Sequence, residues 1–121
     1  MCNKNIVLGF NHFGFKVVDL QRFLEKMQTI FGNTVRFVRE PSGAVLVYLN
    51  EGTPLQVRQM KDDETLIDGQ FKTAISVRNT LKFVDQLKAA GVVPDLHRLE
   101  WIGVIDFEIE GVPFHTVQVE E

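Results

Sequence analysis

An internal repeat constrains the fold of this chain more than any other feature of its sequence. Residues 51–59 read EGTPLQVRQ and residues 110–118 read EGVPFHTVQ, with four of nine positions identical. The match extends upstream at an offset of 59 residues and then of 60. The further matched pairs are Tyr48 and Phe107, Gly32 and Gly91, and Phe23 and Phe83. The chain therefore contains two copies of one module of roughly sixty residues.

Each module has the pattern of a strand, a helix and three further strands. In module one we expect strands at residues 6–18, 35–38, 44–49 and 55–60 and a helix over Leu20–Phe31, with Asp19 as its cap and Gly32 as its stop. In module two we expect strands at residues 71–77, 96–99, 103–109 and 114–120 and a helix over residues 80–90, between Asn79 and Gly91. The polar residues 61–64 connect the modules. We expect one domain over residues 1–121, with module one at about 6–60 and module two at about 71–120.

Composition excludes several classes of function. The net charge of −3 argues against binding to nucleic acid or to anionic membranes, and no apolar run approaches the ~20 residues of a membrane span. The single cysteine, Cys2, cannot form an internal disulfide, and the first residues lack the apolar core of a secretory signal. We therefore expect a cytoplasmic protein.

The repeated βαβββ pattern resembles the vicinal oxygen chelate superfamily, which includes the glyoxalase, bleomycin-resistance and extradiol-dioxygenase proteins. Its most specific pieces are residues 12–20, HFGFKVVDL, and the two EGxP segments. The resemblance implies an α+β fold in which two tandem modules form a curved, mostly antiparallel eight-stranded sheet, with helices on the convex side. It implies a ligand on the concave face and indicates a fold more specifically than an activity.

The resemblance also implies a metal site with one ligand from the first and one from the fourth strand of each module. His12, Gln56, Lys72 and His115 stand at these positions, and the repeat relates them in pairs, because His12 and Lys72 are 60 residues apart and Gln56 and His115 are 59 apart. Strand alternation agrees, since it directs Phe13, Phe15 and Val17 toward the helices and leaves His12, Gly14 and Lys16 on the concave side.

This set departs from that of the metal-dependent relatives, because no carboxylate occupies any of the four positions. Lys72 would place a positive charge where a ligand is expected. His12, Gln56 and His115 could still hold zinc, nickel, iron(II) or manganese as a neutral set. We expect no catalytic metal.

Alternation also predicts a charged lining for the concave face. It places Asp106 and Glu108 there, at the positions of Val47 and Leu49 in module one, as acidic partners for Lys72 and Arg58. The predicted pocket comprises His12, Gln56, Arg58, Lys72, Asp106, Glu108 and His115. The charges would either neutralise one another inside a partly wet cup or receive a polar ligand. Their position, shifted by one strand, argues against Asp106 or Glu108 as a metal ligand.

Two other residues carry weaker signals. Trp101 interrupts the repeat, so it could stack on a ligand, contact another subunit or fill the core. His97 has no counterpart in module one, and we expect it on the surface.

The function most consistent with these residues is binding of a small molecule in the concave face without a metal. The alternative is a metal-dependent lyase, isomerase or dioxygenase that uses His12, Gln56 and His115. A third hypothesis is a metal-free enzyme with Lys72 as base. We further expect a homodimer, because residues 5–10 are more apolar than an exposed strand should be.

Overall fold

The first module has the predicted βαβββ order. The computed structural model describes residues 10–65 and 73–119. Module one comprises β1 (Phe13–Val17), α1 (Leu20–Phe31), a 3₁₀ turn (Gly32–Thr34), β2 (Val35–Arg39), β3 (Val45–Leu49) and β4 (Leu55–Gln59). These strands form a four-stranded sheet in the order β1-β4-β3-β2, in which β1 runs parallel to β4 and the other pairs are antiparallel.

The second module departs from the predicted pattern. It comprises β5 (Thr73–Val77), α2 (Thr80–Ala89), a short helix α3 (Leu99–Ile102), β6 (Asp106–Ile109) and β7 (Val112–Gln118). The three strands form a separate sheet in the order β5-β7-β6. The expected single eight-stranded sheet is therefore wrong, because the described residues form two sheets of four and three strands.

The missing strand is the one predicted at residues 96–99. Only one bridge, between Asp95 and Asp106, remains where that strand would pair. The Asp95 carboxylate accepts a hydrogen bond from the His97 amide at 2.9 Å, which stabilises a turn in place of an extended backbone. The chain then enters α3, and Gly103 ends that helix in the left-handed conformation with φ 68°.

Both long helices begin where the sequence predicts. Asp19 and Asn79 each accept a hydrogen bond from the amide three residues later, at 3.0 Å in both cases. The buried faces match the predicted stripes and consist of Phe23, Leu24, Met27 and Ile30 in α1 and Thr80, Phe83, Val84 and Leu87 in α2. No helix in the described part of the chain is long and apolar enough to cross a membrane.

The glutamine that ends each copy of the repeat secures the start of its own helix. The Gln59 side chain accepts from the Leu20 amide at 2.8 Å and donates to the Val18 carbonyl at 2.7 Å. The Gln118 Oε1 accepts from the amide and the hydroxyl of Thr80, at 3.1 and 2.7 Å. This shared contact explains why the glutamine occurs in both copies, since the first amides of a helix have no partner within it.

One apolar core joins the two modules. The rings of Phe31 and Phe83 have centroids 5.9 Å apart, and Phe83 continues to Phe107 and Phe114 through separations of 5.7 and 5.2 Å. Phe13 is an exception to the predicted core, because 49% of its surface is exposed although it lies on the helix side of β1.

A second connection between the modules is made by Glu110 in the two-residue turn between β6 and β7. Its carbonyl accepts from the Val18 amide at 3.0 Å, and its carboxylate lies 2.9 Å from Lys26 Nζ and 3.9 Å from Arg22 Nε. We call this set of interactions the Glu110 contact. It ties the turn of module two to the first turns of α1.

Candidate functional site

The helices cover only one side of each sheet, and we call the opposite side the helix-free face. Strand alternation assigns the residues to the two sides, since Val17, Val45, Val47 and Val57 are buried toward the helices. The helix-free face carries Gly14, Lys16, Leu46, Tyr48, Gln56 and Arg58 in the first sheet and Ala74, Ser76, Asp106, Glu108, Pro113 and His115 in the second. This is the face that the sequence predicts for the ligand.

Gln56 lies at the centre of the first sheet, opposite Gly14 on β1. Its Nε2 donates to Glu40 Oε1 at 2.7 Å. A side chain at Gly14 would begin 3.8 Å from Gln56 Oε1, so the glycine leaves the amide oxygen uncovered from that side. His12 precedes β1, is exposed, and its Nδ1 lies 2.9 Å from Asn11 Oδ1.

A charged group occupies the far end of the same sheet. Lys16 and Arg58 are neighbours in the β1–β4 register, and Glu64 joins both. The Arg58 guanidinium donates to the two oxygens of Glu64 at 2.9 and 2.7 Å, and Lys16 Nζ lies 3.7 Å away. The hydrogen bond from Arg58 lowers the pKa of Glu64 to about 2, and the backbone amide of Lys61 contributes to this shift. Residues 61–64 therefore form an ordered turn.

His115 and Asp106 face each other across the β6–β7 pair of the second sheet. Arg98 donates to both oxygens of Asp106, from Nη2 at 2.6 Å and from Nε at 2.8 Å, and this interaction raises the pKa of the guanidinium. His115 Nδ1 is buried and has no hydrogen-bond partner among the described residues. It is an unusual atom, because buried polar side-chain atoms are nearly always paired.

The predicted site residues are thus divided between the two sheets. His12, Gln56 and Arg58 belong to the first sheet, whereas Asp106, Glu108 and His115 belong to the second. Lys72 lies outside the described residues. Within residues 10–65 and 73–119, no three His, Cys, Asp or Glu side chains are grouped closely enough to hold a metal ion.

The predicted partners of the charges require correction. Arg58 pairs with Glu64, and Asp106 with Arg98. Asp106 and Glu108 do lie on the helix-free face, but their counterparts in module one are Leu46 and Tyr48 rather than Val47 and Leu49, as the β3–β4 and β6–β7 registers show. The reason is the turn after β6, which is shorter than the loop after β3, so the offset within this strand is 60 and every side chain changes face.

Sequence reasoning missed Glu40, Glu64 and Arg98. Each lies just outside a strand, where hydrophobic periodicity gives no signal, and neither Glu40 nor Arg98 belongs to the repeat. Trp101 is 70% exposed in α3, so it does not fill the core. His97 is exposed, as predicted.

Comparison with known proteins identifies the fold. No family model and no curated protein matches the sequence. Among solved structures, fosfomycin resistance protein FosX from Listeria monocytogenes is 17% identical, with 94% of this chain and 95% of that chain covered and a TM-score of 0.71. A possible glyoxalase from Bacillus cereus is 16% identical over 92% of this chain and 99% of that chain, also with a TM-score of 0.71.

One of the similar structures contains a metal. It is the Listeria FosX in complex with Mn(II) and sulfate, 17% identical over 93% of this chain and 91% of that one, with a TM-score of 0.69. Identities in this range establish the architecture and leave the activity open. The chain has the fold of the vicinal oxygen chelate superfamily, to which the FosX and glyoxalase-like proteins belong.

Proposed function

We propose that this protein binds a polar small molecule on the helix-free face without a resident catalytic metal. The observation that carries the proposal is His115 Nδ1, which is buried and unpaired. Leaving such an atom without a partner costs about 1–3 kcal/mol, so a bound molecule that supplies the partner would recover this free energy. His115 also lies beside Asp106 and Arg98, which fix the polar surroundings of the imidazole.

The charges on this face favour a ligand with several acceptor atoms. A guanidinium has five N–H donors, and Asp106 engages only Nε and Nη2 of Arg98. Lys16 is held at 3.7 Å from Glu64, a distance that leaves its ammonium able to turn toward another acceptor. Because each cation already has a carboxylate beside it, the face is preorganised without being strongly positive.

Titration of fosfomycin and of bleomycin into isotope-labelled protein, in the presence of a chelator, tests this proposal. The expected result is a shift of the amide signals of Gln56, Arg58 and His115 by one of the two compounds, and a loss of that response in His115→Ala. His97→Ala is the matched control, because His97 is exposed and lies away from this face. Binding that His115→Ala leaves intact would contradict the proposed site.

The alternative is a metal-dependent lyase, isomerase or dioxygenase, and it is favoured by the Mn(II) in a FosX structure. His12, Gln56 and His115 would hold the ion, and Gln56 Oε1 suits this role because Nε2 already donates to Glu40. A divalent ion there would polarise vicinal oxygens of a substrate. The set fits a cation poorly, since His12 is exposed and hydrogen-bonded to Asn11, and Arg98 adds positive charge beside His115.

Thermal unfolding separates the two functions. We expect a chelator to leave the wild-type melting temperature unchanged and His12→Ala to behave in the same way. A melting temperature that falls with the chelator and recovers with Mn(II) or zinc would instead support the metal-dependent alternative, because a ligand that binds only the folded state raises its stability.

We also propose that the protein is a cytoplasmic homodimer. In the described residues β1 and β5 are the edges of their sheets, and an uncovered edge strand readily pairs with another chain. Phe10 is 81% exposed and its ring lies 5.5 Å from that of Phe13, which creates an apolar area beside β1. The residues 5–9 on which the sequence prediction relies lie outside the described residues.

A further inference from the structure

A cavity of about 630 Å³ lies between the modules on the helix side of the sheets. Its floor is apolar and is formed by Met27, Phe31, Leu49, Leu55, Phe83 and Phe114. None of the described residues predicted for the helix-free face lines it. Both its size, within the ~300–1,000 Å³ of small-molecule sites, and its apolar floor are typical of a ligand pocket.

The mouth of the cavity is cationic. Arg78 and Lys82 line it at the start of α2, and both are exposed. Neither forms an ion pair within the described part of the chain. Asn50 and Thr53, from the loop between β3 and β4, form the opposite side. The cavity therefore combines an apolar interior with two uncompensated positive charges at its entrance.

The internal repeat shows what chemistry fits this position. Val18, Arg22 and Lys26 occupy the same places in module one that Arg78, Lys82 and Gln86 occupy in module two, 60 residues later. In module one these places receive Glu110, whose carboxylate lies 2.9 Å from Lys26 and whose side chain is only 8% exposed. The Glu110 contact therefore closes this junction between the modules with a carboxylate supplied by the chain itself.

The equivalent junction at α2 has no such carboxylate. Glu51 is the counterpart of Glu110 in the repeat, but it is exposed and forms no ion pair in the described residues. The cavity occupies the space that an equivalent contact would close. Its mouth retains a cation, Lys82, at the place of Arg22.

We propose that this cavity binds an apolar carboxylate from outside the protein, with the hydrocarbon part on the phenylalanine floor and the carboxylate at Arg78 and Lys82. Such a ligand would do for the open junction what Glu110 does for the closed one. The site is separate from the helix-free face, so it does not depend on the function proposed above.

Calorimetric titration with decanoate and decanol tests this proposal, because the two probes share one chain and differ in charge. The full-length protein should bind decanoate more tightly than decanol. Lys82→Gln should weaken decanoate binding by about two- to fivefold, as expected for a partly exposed ion pair, and leave decanol binding unchanged. Lys88→Gln on the same helix is the matched control, because Lys88 does not line the cavity.

A second variant tests the location. Thr53→Trp places a large side chain at the exposed mouth and should abolish binding of both probes, with circular dichroism used to confirm the fold. The proposal is overturned if wild-type protein binds neither probe, if decanoate binding survives in folded Thr53→Trp, or if Lys82→Gln and Lys88→Gln weaken decanoate equally.

Discussion

Phe23 offers the sharpest test of the core on which both proposed sites depend. The side chain lies on α1 with 0% of its surface exposed. Truncation to alanine removes on the order of 100 Å² of buried apolar surface, which corresponds to about 2.5 kcal/mol at ~25 cal/mol per Å². The space left behind adds about 1–2 kcal/mol after partial relaxation, at ~24 cal/mol per Å³ of remaining cavity. We therefore expect Phe23→Ala to lower the free energy of unfolding by about 3–5 kcal/mol.

Urea denaturation at a fixed protein concentration measures this loss. The dependence of the unfolding free energy on urea should stay the same, because the substitution does not change how much surface unfolding exposes. Leu81→Ala on α2 is the control, since Leu81 is 67% exposed and should change stability by no more than about 0.5 kcal/mol. A loss below about 1 kcal/mol for Phe23→Ala would show that α1 buries a different face.

Three further predictions concern the charges, the helix start and the assembly. Glu64 has a pKa of about 2 in the folded protein against an ordinary value of 4.5, so its stabilising contribution is complete above pH 4.5 and is lost as the pH falls toward 2; Glu64→Gln should flatten this part of an acid-unfolding profile, and an unchanged profile would refute the role of Arg58. Gln118→Leu should cost about 1–3 kcal/mol in urea denaturation, because the amide and hydroxyl of Thr80 lose their acceptor, whereas Gln118→Glu should retain most of the stability. Light scattering should give about twice the chain mass of 13.8 kDa, and Phe13→Glu should shift the mass toward one chain; a wild-type mass near 13.8 kDa would rule out the dimer.

The elements that sequence predicts well are those whose signals are local. Asp19 caps α1 and Asn79 caps α2 as expected, because a cap needs only a carboxylate or amide oxygen beside the first turn. The faces of β4 and β7 also follow from alternation within each strand. These local rules were sufficient to place Gln56 and His115 on the helix-free face.

The parts that sequence does not predict depend on turns and on distant partners. The strand expected at residues 96–99 is absent because the Asp95 side chain stabilises a turn, an interaction that competes with extended structure. The pairing of Arg58 with Glu64 depends on the path of the chain after β4, which periodicity does not describe. A single residue of difference in a turn reverses the face of β6 relative to the repeat.

The Glu110 contact also makes the two halves of the molecule unequal in local opening. The Val18 amide donates across the junction to the Glu110 carbonyl, so exchange of its hydrogen with solvent requires the modules to separate. Arg78 holds the same place before α2 and makes no such bond to module one in the described residues. Hydrogen exchange should therefore be slow at the beginning of α1 and fast at the beginning of α2. A repeat that looks symmetrical in sequence thus yields one half that opens only when the modules part and one whose helix start opens by itself.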